Sequence, residues 1–190
     1  MLTLCRMEER EVRHLYAFAL KRDFPPSELK HLSAILNMMR EGVYDVLGAY
    51  EDGILAAYAL VYCPSDGRFF LLDYLAVEPD MRGRGVGRRF LSLLREHYSE
   101  RADALMIECE RPATAPDEQE ARKRIRFYQQ SGAVLTSVRI WLFSVEYSIL
   151  VLPCMNASLD RQDWAEQMLS MYRQMLPPAL YERNVRLIRG

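Results

Sequence analysis

Residues 82–88 read Arg82-Gly83-Arg84-Gly85-Val86-Gly87-Arg88 and follow directly on an apolar run, Phe69–Val77. Beyond them Val86, Phe90, Leu93, Leu94 and His97 recur at helical spacing. The stretch therefore predicts a strand, a glycine-spaced turn and a helix N-terminus in immediate succession. Glycines let the main chain adopt positive φ and approach a ligand closely. The first turn of a helix presents N–H donors at the positive end of its dipole. Together these make an anion cradle, and the guest they suit best is a phosphate or pyrophosphate.

The chain has 190 residues, enough for one domain with a sizeable core and room for an appendage. Its net charge is −1, so neither a nucleic acid nor an anionic membrane gains bulk electrostatic support. The start, Met1 to Glu9, is not expected to be a signal peptide, because its apolar stretch is short and acids follow at once. The most apolar run, Trp141–Pro153, contains Glu146 and is too short to span a bilayer. A cytoplasmic location is the expectation. Cys5, Cys63, Cys109 and Cys154 are scattered, which suits reduced, buried, inert thiols. His14, His31 and His97 lack metal-ligand spacing, so no metal site is expected.

Residues 2–6 suit a first strand, and Glu8 to about Arg22 a helix ending before Phe24-Pro25-Pro26. Ser27 reads as the N-cap of a second helix reaching Met39, stopped by Gly42. Tyr44–Tyr50 and Ile54–Tyr62 flank Glu51-Asp52-Gly53, a hairpin signal. After the glycine turn a helix is expected from Val86 to about Glu100, then a strand at Ala104–Cys109. Thr114 to Asp117 looks like a capping box for a helix reaching Gln130, and Val134–Val138 and Tyr147–Leu152 are further strand candidates. Asp160–Leu176 and Ala179–Ile188 read as two closing helices. The order indicates a mixed α/β (α+β) domain at residues 1–153 and a helical extension at 154–190.

The run Leu72-Asp73-Tyr74-Leu75-Ala76-Val77-Glu78-Pro79-Asp80-Met81-Arg82-Gly83-Arg84-Gly85-Val86-Gly87 resembles the acyl-CoA signature of the GNAT superfamily of N-acetyltransferases. Arg82, Gly85 and Gly87 fill its fixed positions. A second family element, a helix ending in Phe-Tyr with glycine soon after, is matched by Phe127-Tyr128-Gln129-Gln130-Ser131-Gly132. One helix and one strand separate the two, as in the family. The spacing is not the dinucleotide Gly-x-Gly-x-x-Gly, and no Gly-Lys-Ser/Thr is present for a P-loop. The resemblance implies the GNAT fold, a mostly antiparallel sheet flanked by helices, with acetyl-CoA as co-substrate and a primary amine as acceptor.

It further implies that the backbone of Gly83, Arg84, Gly85, Val86, Gly87 and Arg88 cradles the pyrophosphate, and that Leu75, Ala76 and Val77 bond the pantetheine arm. Arg82, Arg84 and Arg88 are candidates for the 3′-phosphate, with solvated surface as the plainer reading. Arg124 lies where the family meets the phosphate end of the cofactor, although acid-first, base-last charge also suits a solvated helix. Tyr128 is the family's position for the acid that protonates the departing thiolate, and it shares a helix face with Ala121 and Ile125. For the base, Glu108 interrupts an apolar strand and is preferred over Asp73, with Glu110 third. An ion pair with an arginine is the plainer alternative for either acid.

On the acceptor side, Phe24-Pro25-Pro26-Ser27-Glu28 and Arg139-Ile140-Trp141-Leu142-Phe143 are placed to wall a pocket, and core packing explains them equally well. Met168, Leu169, Met171, Tyr172, Met175 and Leu176 form an apolar stripe that must dock on the body or on a second subunit, as in a homodimer. A non-catalytic acyl-CoA sensor, with Glu108 and Tyr128 purely structural, is the alternative function. A nucleic-acid binder using Arg82–Arg89 and Arg122–Arg126 lacks interleaved aromatics and a basic balance.

Overall fold

A computed structural model describes residues 1–155 and 163–188. They form two compact units, Met1–Ser65 with Leu72–Leu93, and Asp66–Leu71 with the chain from Leu94 onward.

In the first unit, β1 (Leu2–Arg6) pairs antiparallel with β2 (Tyr44–Glu51), and β2 with β3 (Ile54–Tyr62). The β2–β3 turn places Asp52 and Gly53 at φ 52° and 78°, the left-handed pair that the Asp-Gly signal predicts. Helix α1 (Glu9–Leu15) runs through a π-helical turn, Tyr16–Leu20, into a short α2 (Lys21–Asp23). Val12, Leu20, Ile35, Val46, Tyr58 and Leu60 are among its fully buried side chains.

Helix α3 (Leu32–Arg40) starts later than expected, with His31 and not Ser27 at its N-cap. The reason is tertiary. The Glu28 and Leu29 amides close a turn on the Pro25 carbonyl, and the segment is then captured by a side chain of β4 (Phe69–Val77). Tyr74 donates its hydroxyl to the Glu28 carbonyl at 2.7 Å and accepts the Lys30 amide at 2.9 Å. After β4 come a 3-10 turn (Pro79–Met81), the glycine turn and α4 (Val86–His97).

The second unit holds β5 (Ala104–Glu110), α5 (Glu118–Gln130), β6 (Val134–Leu142), β7 (Val145–Pro153), α6 (Trp164–Met175), α7 (Pro178–Asn184) and β8 (Val185–Leu187). Strand β7 is antiparallel to both β5 and β6. The hydrogen-bonded order is β1-β2-β3 in the first unit and β5-β7-β6-β8 in the second, and the fold is the expected mixed α/β architecture. Asp117 caps α5 by accepting the Glu120 amide, so the cap falls at the end of the expected box.

Three expectations are corrected here. Strands β6 and β7 run to a tight turn at Phe143-Ser144 (φ 45° and 72°), so Arg139–Leu142 is strand and not a connecting wall. The last helix ends at Asn184, and Val185–Leu187 pairs antiparallel with Leu142–Ile140. Alternating side chains beside an available sheet edge favour a strand over a further helical turn. Cys5 is exposed, whereas Cys63, Cys109 and Cys154 are buried, and none of the four is in a disulfide.

Helix α6 is capped by Asp163, and the expected start at 160–162 lies outside the described residues. Half of its apolar stripe is buried within the chain: Met168, Met171 and Tyr172 are covered, Leu169, Met175 and Leu176 are half-buried, and Trp164 stands edge-on to Phe69 at 5.4 Å. Among the described residues no helix is long and apolar enough to cross a membrane.

Candidate functional site

The glycine turn has the backbone its sequence requires. Gly83 and Gly85 sit at φ 75° and 74°, and a Cβ built at either position would meet no atom within 4 Å. Space therefore lies open over both residues. The Arg89 amide donates to the Gly85 carbonyl at 3.2 Å, which opens the ladder of α4. The amides of the first helical turn precede that bond, as in any helix start. Gly87, expected to share the left-handed conformation, is instead buried inside α4. Arg84 and Arg88 are exposed on the turn, and Arg124 is exposed on α5. The open cradle and the helix start fit a pyrophosphate.

The strand exit is tied down from outside the motif. Arg82 donates through Nε to the Val77 carbonyl at 3.0 Å and through Nη2 to Asp23 at 3.3 Å. Asp23 also accepts from Arg22 at 2.6 and 3.0 Å and from the Tyr58 hydroxyl at 2.8 Å. Arg22 reaches on to Glu78 at 2.9 Å. Burial alone would raise the Asp23 pKa, but the bonds from Arg22 and Tyr58 and the charges of Arg22 and Arg82 bring it below the ordinary aspartate value. The same contact and burial push the Tyr58 phenol well above its ordinary value.

Asp73, the lesser candidate base, is nearly covered, with its side chain 6% exposed. Lys30 pairs with it at 2.8 Å and Tyr44 donates a short hydrogen bond to its other oxygen. The Lys30 ammonium also lies 5.5 Å from the centre of the Tyr74 ring, whose edge meets Phe24 at 4.9 Å. The carboxylate thus belongs to a buried ion pair that closes the Phe24–Lys30 segment onto β4. The expected alternative was an ion pair with arginine; the partner is a lysine.

In the second unit, strand alternation sets Glu108 apart from its buried neighbours Ile107 and Cys109. Both carboxylate oxygens of Glu108 lie 2.8 Å from the Tyr172 hydroxyl, which donates to them. Tyr172 comes from α6, and its ring is buried. Glu110, third among the candidate bases, is half-buried at the end of the same strand.

Tyr128 is buried on α5 beside Ala121 and Ile125, as its spacing predicts. Burial, and then the neighbouring Cys109, push its phenol well above its ordinary value, and Arg124 offsets part of that. Cys109 is itself pushed up to about 12, chiefly by burial. Among the described residues there is no cluster of His, Cys, Asp and Glu suited to a metal ion.

Asp23, Lys30, Tyr58 and Tyr172 are absent from the expected site residues. Asp23 and Lys30 border the Pro25-Pro26 break without any motif, and Tyr172 reads as one of many apolar positions in α6. Each acquires its significance from a partner at least 35 residues away. No local pattern carries that information.

A family model described as an acetyltransferase (GNAT) domain matches residues 43–132. No curated protein matches the sequence. Among solved structures, the chain is similar to a protein from Bacteroides thetaiotaomicron assigned to the GNAT family, with TM-score 0.71 and 22% identity over 90% of this chain and 96% of that one. It is also similar to the ribosomal-protein-S18-alanine N-acetyltransferase from Escherichia coli, with TM-score 0.61 and 21% identity over 85% and 99% of the two chains. A third structure, spermidine N-acetyltransferase from Vibrio cholerae in complex with CoA and spermine, gives TM-score 0.62 at 12% identity over 80% and 95%. Residues 43–132 thus match the GNAT acetyltransferase domain, in a chain whose fold is shared with these solved structures.

Proposed function

We propose that this protein is an N-acetyltransferase that moves an acetyl group from acetyl-CoA to a primary amine, by direct attack in a ternary complex. One observation supports the donor above all others: two left-handed glycines with open space above them lead from β4 into the first turn of α4. A doubly charged pyrophosphate gains charge-assisted bonds from such a cradle, each stronger than a neutral hydrogen bond. The backbone of Gly83 to Arg88 would hold that group, with Arg84 and Arg88 as nearby positive charge, and Arg124 is a further candidate for the phosphate end. Main-chain groups of Leu75, Ala76 and Val77 would take the pantetheine arm.

When bound, acetyl-CoA supplies an activated acyl thioester. Glu108 takes a proton from the acceptor's ammonium, which leaves a lone pair to attack the acyl carbon. Tyr172 fixes the orientation of that carboxylate by donating to it. As the N–C bond forms and the C–S bond breaks, Tyr128 gives its hydroxyl hydrogen to the sulfur; of the two protons the acceptor nitrogen sheds, one restores the Tyr128 hydroxyl and the other leaves to solvent from Glu108, giving amide, thiol and one released proton. A phenol raised above its ordinary value keeps its proton at neutral pH, so this donor is present in every turnover. Asp73 is assigned a holding role because Lys30 and Tyr44 already engage it. The acceptor class is a small-molecule or protein amine, and the protein would act in the cytoplasm.

The test is to incubate the protein with acetyl-CoA and a panel of polyamines, aminoglycosides, amino acids and peptides while following free thiol. Thiol release that depends on one acceptor class supports the reading. Tight CoA binding with no release for any acceptor would instead establish a non-catalytic acyl-CoA sensor.

A further inference from the structure

We infer that Asp23 is a positioning residue for the phosphate turn, acting through Arg82 and through the Arg22–Glu78 pair. The inference rests on the acyl-CoA reading of that turn, and the residue lies some sixty positions upstream of it.

The geometry supports it at three points. Between Val77 and Arg82 the chain must leave a strand, make a 3-10 turn and enter the left-handed conformation of Gly83. Arg82 bridges the start and end of that excursion, with Nε on the Val77 carbonyl at 3.0 Å and Nη2 on Asp23 at 3.3 Å. Glu78 is held twice: its amide donates to the Ala56 carbonyl at 2.9 Å, and its carboxylate accepts from Arg22 at 2.9 Å. Both arginines converge on one carboxylate whose side chain is only 6% exposed, and Tyr58 on β3 steadies that carboxylate from the sheet.

Two guanidinium groups sharing one counter-ion repel each other once that charge is removed. Neutralising Asp23 would therefore leave Arg82 without its partner and let the entry to Gly83 sample other conformations. The binding amides belong to the backbone, so their alignment is what the ligand reads. In this account the Arg82 guanidinium serves the turn's shape and does not reach for a phosphate.

The experiment uses the full chain with CoA itself as probe. Calorimetric titration should show CoA binding about tenfold or more weaker in Asp23→Asn, the scale of one charge-assisted bond lost. Amide exchange in ligand-free protein should quicken over residues 82–88 in the same variant. Asp23→Glu should recover part of the affinity. Arg82→Ala, at an exposed position that leaves the core intact, should weaken binding similarly, and Asp23→Asn added to it should cost less than a further twofold. Unchanged exchange of the turn, CoA affinity within twofold of wild type, or fully additive losses in the double variant would each overturn the inference. If the wild type fails to bind CoA, the acyl-CoA reading falls, and ligand-free exchange still decides whether Asp23 orders the turn.

Discussion

Tyr172 donates its hydroxyl to the carboxylate of Glu108, 2.8 Å from each oxygen, across 64 residues of sequence. A residue of α6 thus orients the candidate base on β5. Such a bond fixes the rotamer of a carboxylate that would otherwise turn freely. Glu108→Gln should lower kcat by about 10²–10⁴, the usual worth of a positioned general base. Tyr172→Phe should cost roughly tenfold, since the carboxylate survives and loses one hydrogen bond. Steady-state kinetics on a single amine acceptor would check both, and in the double variant Tyr172→Phe should add almost nothing. Full activity in Glu108→Gln would remove it as the base.

Tyr128→Phe should slow turnover by roughly 10² while leaving acetyl-CoA KM within about twofold, because in the proposed mechanism the hydroxyl acts on the departing sulfur and not on binding. Its phenol stays protonated past its ordinary value, so no loss of activity from its ionisation is expected up to about pH 10. Phenolate absorbance of wild type minus Tyr128→Phe, followed against pH, would show the delayed ionisation. A phenolate signal from this residue near neutral pH would refute the assignment.

Gly85→Glu should abolish CoA binding, since a side chain would occupy the open space of the cradle and bring an anion to it. Gly83→Ala meets no neighbouring atom, so its cost is that of forcing a Cβ residue to φ 75°, about 1–2 kcal/mol of stability. Calorimetry with CoA and urea titration separate the two effects. Intact CoA binding in Gly85→Glu would sink the phosphate-turn assignment.

Asp23 also gives a dependence of stability on pH. Its folded pKa lies below the unfolded value of 3.8, because the bonds and charges of Arg22, Tyr58 and Arg82 outweigh burial. A depressed carboxylate contributes stability that is fully present above 3.8 and is lost as pH falls through the lower folded value. The difference in urea midpoint between wild type and Asp23→Asn should therefore be constant from neutral pH to about pH 5 and shrink below pH 4. A gap that widens on acidification contradicts the ion-pair account.

Thiol reactivity offers a check on burial. Cys5 is exposed, while burial raises the thiols of Cys109 and Cys154 to about 12 and about 11. A disulfide reagent at pH 8 should label one thiol quickly in native protein, and Cys5→Ser should abolish that fast phase. Rapid labelling of Cys109 would mean that β5 is more open than its burial indicates.

What was legible in the sequence is what local chemistry can carry. Glycine at 83 and 85, with an apolar run before and helical spacing after, allows few backbone solutions, and the Asp52-Gly53 hairpin and the Ala121-Ile125-Tyr128 face are equally local. These sufficed for the succession of elements up to β7 and for the left-handed glycines at the start of α4. The start of α3, the strand β8 and the partners of Glu108 and Asp73 were decided only by tertiary structure. Tyr74 captures Glu28 and Lys30 around a turn that Ser27 would otherwise cap into helix, and the edge of β6 draws Val185–Leu187 into the sheet. In each case a single hydrogen-bonding partner, distant in sequence and near in space, outweighed a propensity worth only a fraction of a kcal/mol per residue. Arg82 shows the division within one side chain: its place in the motif is written locally, and its work is set by Asp23.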